Sequence, residues 1–189
     1  MRSGLLSVCP PTDMSLRLWL FALLLVGCPD TERITEAQAC DACEDSCSLE
    51  TVEFDTAVHT EEPIEWGTSV PVGGPHDPCW ADWAIYDTPL PPRHWVHNLE
   101  HGGIVYLYDC PEGCPDELSI LEGLHAANEA GTVIVTPYEG LPTQFAAVAW
   151  GKRLMLGCAD SAALQQFHAD HVDRAPESVT SGAPVGCME

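Results

Sequence analysis

Apolar residues are spaced differently in successive stretches of this chain. Behind Arg17 the run Leu18-Trp19-Leu20-Phe21-Ala22-Leu23-Leu24-Leu25-Val26-Gly27 is unbroken. It is shorter than the roughly 20 residues that a membrane-spanning helix needs, and a basic residue before a short apolar run is the pattern of a secretory leader. Residues 29–50 are polar and acidic with no apolar period, which predicts a tether. From Thr51 to Leu90 the chain is rich in Pro, Gly, Trp and Asp. Extended segments and turns are expected there, with Trp66, Trp80 and Trp83 covering the domain.

The second half is more regular. Ile104-Val105-Tyr106-Leu107-Tyr108 is a run rich in β-branched and aromatic residues and predicts a buried strand. Leu118, Leu121, Leu124 and Ala127 then recur at helical spacing across Pro115–Ala130, with Pro115, Asp116 and Glu117 in the first turn, as a helix N-terminus prefers. Gly131 stops that helix, and Thr132–Thr136 reads as a second strand ended by Pro137. Gln144–Trp150 and Arg153–Leu156 flank Gly151-Lys152 as a hairpin-like pair. Asp160 caps a last helix, Ser161–Asp173, carrying Leu164, Phe167 and Val172. The order strand, helix, strand, strand, strand, helix predicts an α+β two-layer sandwich. Its sheet is mixed or antiparallel, with two helices on one face and a loop-rich N-terminal half. The expected organisation is a leader over 1–27, a Cys-rich acidic tether over 28–50 and a single domain over 51–189.

Leu25-Val26-Gly27-Cys28 looks like a bacterial lipobox, in which the cysteine is acylated and becomes the new N-terminus. Cys28 is the expected lipidation site, and the mature chain is expected outside the cytoplasm as a membrane-anchored lipoprotein, on the periplasmic face or the cell surface. An ordinary signal peptide with a chance cysteine is the alternative. The formal charge is −22; losing Arg2, Arg17 and Asp13 with the leader makes it −23. Such a field disfavours nucleic acid and anionic lipid surfaces and favours cations. Eight cysteines lie beyond the anchor: Cys40, Cys43, Cys47, Cys79, Cys110, Cys114, Cys158 and Cys187. An even number in an oxidising compartment points to disulfides of undetermined pairing, with a local Cys110–Cys114 bridge across Pro111-Glu112-Gly113. A zinc knuckle at Cys40, Cys43 and Cys47 is the weaker reading of that acidic run.

The chemistry concentrates in His94-Trp95-Val96-His97-Asn98-Leu99-Glu100-His101-Gly102-Gly103, which holds three of the chain's 8 histidines. If Trp95–His101 is helical, His97 and His101 at i and i+4 project from one face and can share a metal ion. Glu100 lies beside them, and His76, presented by the Gly73-Gly74-Pro75 turn, and His59 can complete the set. His94 is an alternative ligand. Zinc and copper(II) both suit such donors. Two other readings stand beside this one. Histidine and glutamate can form a buried hydrogen-bond network without metal, Gly102 and Gly103 permitting the turn. His97-x-x-Glu100-His101 also fits the H-x-x-E-H spacing of inverted zinc peptidases, a hydrolase in which Glu177 or Glu139 would supply the third ligand. The short run into two glycines and a strand does not suit a long peptidase helix. An envelope interaction module without metal, using acidic charge and exposed tryptophans, is a further alternative. His125 reads as surface or satisfied core, and His168 and His171 as a solvated helix face.

From His59 onward the chain resembles the bacterial domain-of-unknown-function family 3105. The resemblance rests on His59, Gly74-Pro75-His76, Tyr86, Val96-His97-Asn98-Leu99-Glu100-His101-Gly102, Thr136-Pro137-Tyr138, Ala149-Trp150-Gly151 and Pro176-Glu177. It covers roughly 120 residues, the histidine segment being its most specific part. The chain departs from the family in its cysteines and at Val72-Gly73, where members tend to show Thr-Ser. No activity comes with the resemblance; it implies the fold and the site.

Overall fold

Apolar runs with no polar face are stable only as strands covered on both sides, and this is how the centre of the fold is built. The computed structural model describes residues 33–36, 43, 47–54, 56–128 and 131–178, all within one unit, Glu32–Glu189. Its elements are β1 (Arg33–Glu36), β2 (Cys47–Thr51), α1 (Pro92–Glu100), β3 (Ile104–Tyr108), α2 (Pro115–Ala127), β4 (Val133–Pro137), β5 (Phe145–Ala149), β6 (Lys152–Leu156) and α3 (Ser161–His171). The six strands form one sheet in the order β1-β2-β6-β5-β3-β4. Only β3 and β4 are parallel, as the α2 crossover between them requires; the other pairs are antiparallel. The fold is α+β with a mixed, open sheet.

Period-two alternation divides the core. Ile104, Tyr106, Val133, Val135, Phe145, Ala147, Leu154 and Leu156 face one side, where they meet Leu121 of α2 and Ala163, Leu164 and Phe167 of α3. These are the two helices expected on one face. The alternate residues Val105, Leu107, Ile134, Ala146, Val148 and Met155 face the other side. There they meet Trp95, Val96 and Leu99 of α1 together with Val70, Val72, Ala81 and Leu90 of the loop-rich segment. The irregular first half is thus a third layer of the domain, and the candidate site is built within it.

Two strands differ from the expectation of a tether before residue 51. β2 pairs with β6 in register Glu50↔Arg153, and β1 pairs with β2. Backbone pairing, one ion pair and the alternate residues Cys47 and Leu49, packed on the core, hold β2 here. Arg153, nearly buried, donates to Glu50 at 2.7 Å, to Thr68 Oγ1 at 2.6 Å and to the Val70 carbonyl at 2.8 Å, so it also anchors the loop layer. Cys43–Cys158 ties the same region to the end of β6, and Cys110–Cys114 forms the expected local bridge. Cys47 and Cys79 are also disulfide-bonded; with Cys43 and Cys47 both oxidised, the run lacks the thiolates that a zinc knuckle would need. The leader over 1–27, the lipidation site Cys28, Cys40 and Cys187 lie outside the described residues. Among the described residues no helix is long and apolar enough to cross a membrane.

The cap of α3 is as the sequence predicts. The Asp160 carboxylate accepts from the backbone N–H groups of Ala162 and Ala163 at 2.9 and 3.1 Å. Asp160→Ala leaves both donors unpaired and is expected to cost about 1 kcal/mol, read as a loss of roughly 2–4 °C in Tm by calorimetry.

Candidate metal centre

Three segments meet at the site. The last turn of α1 supplies His97 and Glu100, both nearly buried. The Gly74-Pro75 turn, with Gly74 at φ +97°, supplies His76, which is fully buried. His59 arrives on a strand-like segment paired in parallel with His76, through Thr60 N–H to the His76 carbonyl at 2.7 Å and His76 N–H to the Val58 carbonyl at 3.0 Å. Arg93 closes the frame by donating to the Thr60 carbonyl at 2.8 Å and pairing with Asp77 at 2.7 Å. One ligand atom from each of His59, His76, His97 and Glu100 lies within 4.8 Å of the others. This cluster of three imidazoles and one carboxylate can hold a metal ion. Donors bound to one zinc at about 2.0–2.1 Å stand roughly 3.3–4 Å apart, so closing on an ion takes shifts of about an ångström.

The imidazoles are set by backbone carbonyls. His76 Nδ1 lies 2.8 Å from the Gly74 carbonyl and His97 Nδ1 2.8 Å from the Asp77 carbonyl. A carbonyl only accepts, so each Nδ1 carries the proton and donates. In the neutral ring Nε2 is then an unprotonated lone pair, and this is how metal-ligating histidines are usually prepared. His76 Nε2 stands 3.0 Å from Glu100 Oε2, and His59 Nε2 3.6 Å from the same oxygen. Two acceptors at 3.0 Å repel unless a proton lies between them or a cation in front of both. Glu100 and His97 also sit at the C-terminal turn of α1, where the helix dipole favours positive charge.

The supports are backbone contacts that residue types alone do not announce. Asn98, fully buried, binds the Ala81 backbone twice, accepting from its N–H at 3.0 Å and donating to its carbonyl at 2.9 Å. This clamps the loop that carries Asp77 against α1. Trp80 packs on the rings of His97 and His101, at centroid distances of 5.3 and 4.2 Å. Gly102 has φ +83°, and a Cβ there would stand 2.9 Å from Asp173 Cα and Ser178 Oγ. Gly103 is required for a different reason, since its Cβ would fall 2.2 Å from the Trp83 ring. Gly73, where the family resemblance expects a larger side chain, admits the Phe54 ring.

Several sequence expectations change. His101 is outside the group that can share an ion. Its ring stacks on His97 at 4.9 Å and 25°, but its Nδ1 donates to the Glu177 carbonyl at 2.9 Å, so the C-terminal segment and not His76 orients it. Glu177 and Glu139, proposed as a third hydrolase ligand, are likewise outside the group. His94 binds the Cys79 carbonyl through Nδ1 at 2.8 Å. It forms a second cluster with Asp77 and Cys79, but the disulfide-bonded Cys79 offers no thiolate. His125 is satisfied by the Val133 carbonyl at 3.1 Å. His168 and His171 are half-buried rather than solvated, and burial lowers the pKa of both. Trp66, Trp80 and Trp83 are partly buried in packing, covering the domain as the sequence predicts.

A family model described as "Protein of unknown function (DUF3105)" matches residues 57–183, a stretch containing every residue of the cluster. No curated protein and no solved structure matches the chain.

The pKa of His97 is lowered to about 4, first by burial and then by the neighbouring His76, His101 and His59, against an opposing contribution from the Asp77 carbonyl. An unfolded histidine takes a proton near pH 6.5, whereas folded His97 refuses it until about pH 4. The unfolded chain therefore binds more protons across that window, and stability falls as pH drops through it. In metal-free protein, urea unfolding is expected to show a loss on the order of 2–3 kcal/mol from this group between about pH 6.5 and 4. His97→Asn flattens that part of the profile; parallel wild-type and variant profiles would contradict the assignment.

Proposed function

The chain belongs to the DUF3105 family of proteins of unknown function, and from its own geometry we propose that it binds a divalent transition metal through His59, His76, His97 and Glu100. The observation that carries the reading is the pair of carbonyl-anchored Nδ1 atoms. They fix the Nδ1 side of two buried imidazoles and leave His76 Nε2 3.0 Å from Glu100 Oε2, within a group of four donor atoms that all lie within 4.8 Å of one another. A proton between His76 and Glu100 satisfies that pair alone, whereas a cation satisfies all four donors at once. Three imidazoles and one carboxylate suit zinc or copper(II). The acidic field of the chain draws cations toward the site.

The role that fits is metal binding or handling at the cell envelope, with the protein held there by a lipid on Cys28. The lipobox-like Leu25-Val26-Gly27-Cys28 and the disulfides support that location. An H-x-x-E-H hydrolase is less well supported. His101, the second histidine of that motif, lies outside the group that can share an ion, and its Nδ1 donates to the Glu177 carbonyl.

Protein purified without a histidine tag is expected to bind one zinc or copper(II) ion per chain, measured by elemental analysis and calorimetric titration. His76→Ala or His97→Ala should weaken affinity by about 100-fold or more, and Glu100→Gln by about 10–100-fold. Saturating metal should raise stability by about 2.7 kcal/mol at a free concentration 100 times Kd. Substoichiometric metal that is unchanged in the His76→Ala, His97→Ala double variant would sink the proposal. For location, Cys28→Ser is expected to move the protein from the membrane to the soluble fraction of the cell; retention in the membrane fraction would contradict lipid anchoring.

A further inference from the structure

We propose that His101 is the exchange ligand of this centre, the imidazole that first takes an incoming aqueous metal ion, passes it to His97 and receives it again on release. The inference rests on the metal-binding reading of the cluster formed by His59, His76, His97 and Glu100. It explains why a fourth histidine is prepared like the resident ligands but stands outside their set.

The preparation is the same in kind. His101 Nδ1 donates to the Glu177 carbonyl at 2.9 Å, as His76 and His97 donate to Gly74 and Asp77. Its Nε2 is therefore left as a lone pair with no partner among the described residues. The ring stacks on His97 at 4.9 Å, a step like the 4.6 Å from His59 to His97 and the 4.9 Å from His76 to His97. Outside the resident set, the imidazole in ring contact with His97 is that of His101. Two features hold the ring there: Trp80 packs edge-on at 4.2 Å, and Glu177 N–H donates to the Glu100 carbonyl at 3.0 Å, fixing the segment whose carbonyl orients His101.

Accessibility separates the roles. His76 is fully buried and His97 and Glu100 nearly so, so a hydrated ion cannot reach them without losing several waters in one step. His101 is partly exposed and can replace one water while the rest remain. His59 is more exposed, at 48%, but it belongs to the resident set, 3.6 Å from Glu100, and closes the site once bound. A ligand used only in transit lowers the barriers to uptake and release equally and leaves the equilibrium unchanged. This is the opposite of what loss of a resident ligand does.

Trp80, beside both rings, supplies the signal, since copper(II) bound there quenches indole fluorescence. The full-length protein is first titrated with copper(II) at equilibrium. Uptake is then followed by stopped flow, and release by chelator chase, for wild type, His101→Ala, His101→Asn and the remote control His125→Ala. Both His101 variants should keep one site with Kd within about twofold, while uptake and release rates fall together by about tenfold or more. His125→Ala should change neither. Rates within about twofold of wild type in the His101 variants would overturn the proposal. So would a Kd weakened about tenfold with uptake intact, which marks a resident ligand. If His101→Ala unfolds, as circular dichroism would show, His101→Asn decides alone. Failure of the wild type to bind in the equilibrium titration would instead overturn the metal-binding reading itself.

Discussion

Everything at the centre depends on one asymmetry of hydrogen bonding: a backbone carbonyl can accept a proton but never give one. By placing the carbonyls of Gly74 and Asp77 against Nδ1 of His76 and His97, the fold dictates which nitrogen of each ring is protonated. Of the remaining nitrogens, His76 Nε2 stands 3.0 Å from Glu100 Oε2. Without these two contacts each ring could rotate or change tautomer, and the convergence would be lost. The same device at His101, using the Glu177 carbonyl, shows that the pattern extends beyond the resident cluster.

The carbonyls are held by parts of the chain that carry no metal chemistry. Asn98 pairs with the Ala81 backbone, and Arg93 bridges Asp77 and the Thr60 carbonyl. Together they hold the loops bearing His59, Asp77 and Trp80 on α1. The helix is fixed in turn by Trp95, Val96 and Leu99 against Val105, Leu107 and Ile134 of the sheet. Because β3, β4, β5 and β6 are apolar on both faces, one face supports α2 and α3 while the other is free to carry an irregular layer. Irregular backbone can present carbonyls sideways to a ring. The interiors of helices and paired strands spend their carbonyls in regular pairing.

The glycines after the cluster show how tightly this layer is packed. Gly102 turns the chain at positive φ against Asp173 and Ser178, and Gly103 lies under the Trp83 ring. A reading of Gly102-Gly103 as mere permission to turn captures the first role and misses the second. Similarly, β2 offers only the short alternation of Cys47 and Leu49 toward the core, and backbone pairing together with Glu50 and Arg153 completes its place in the sheet.

Local order was legible in the residues themselves. The runs at 104–108 and 133–137, the Gly151 hairpin, the Asp160 cap and the two helices of one face follow from period, caps and turn formers, which act over a few neighbours. The neighbourhood of the candidate site was legible too, from the density of histidine and glutamate at 94–101. Membership of the site was decided only by tertiary structure. His97 and His101 are equivalent by helical spacing, yet one ring faces Asp77 and the other Glu177, 20 and 76 residues away. The direction of an imidazole is set by the partner of its Nδ1, and that partner is brought by a distant segment of chain that no local pattern specifies.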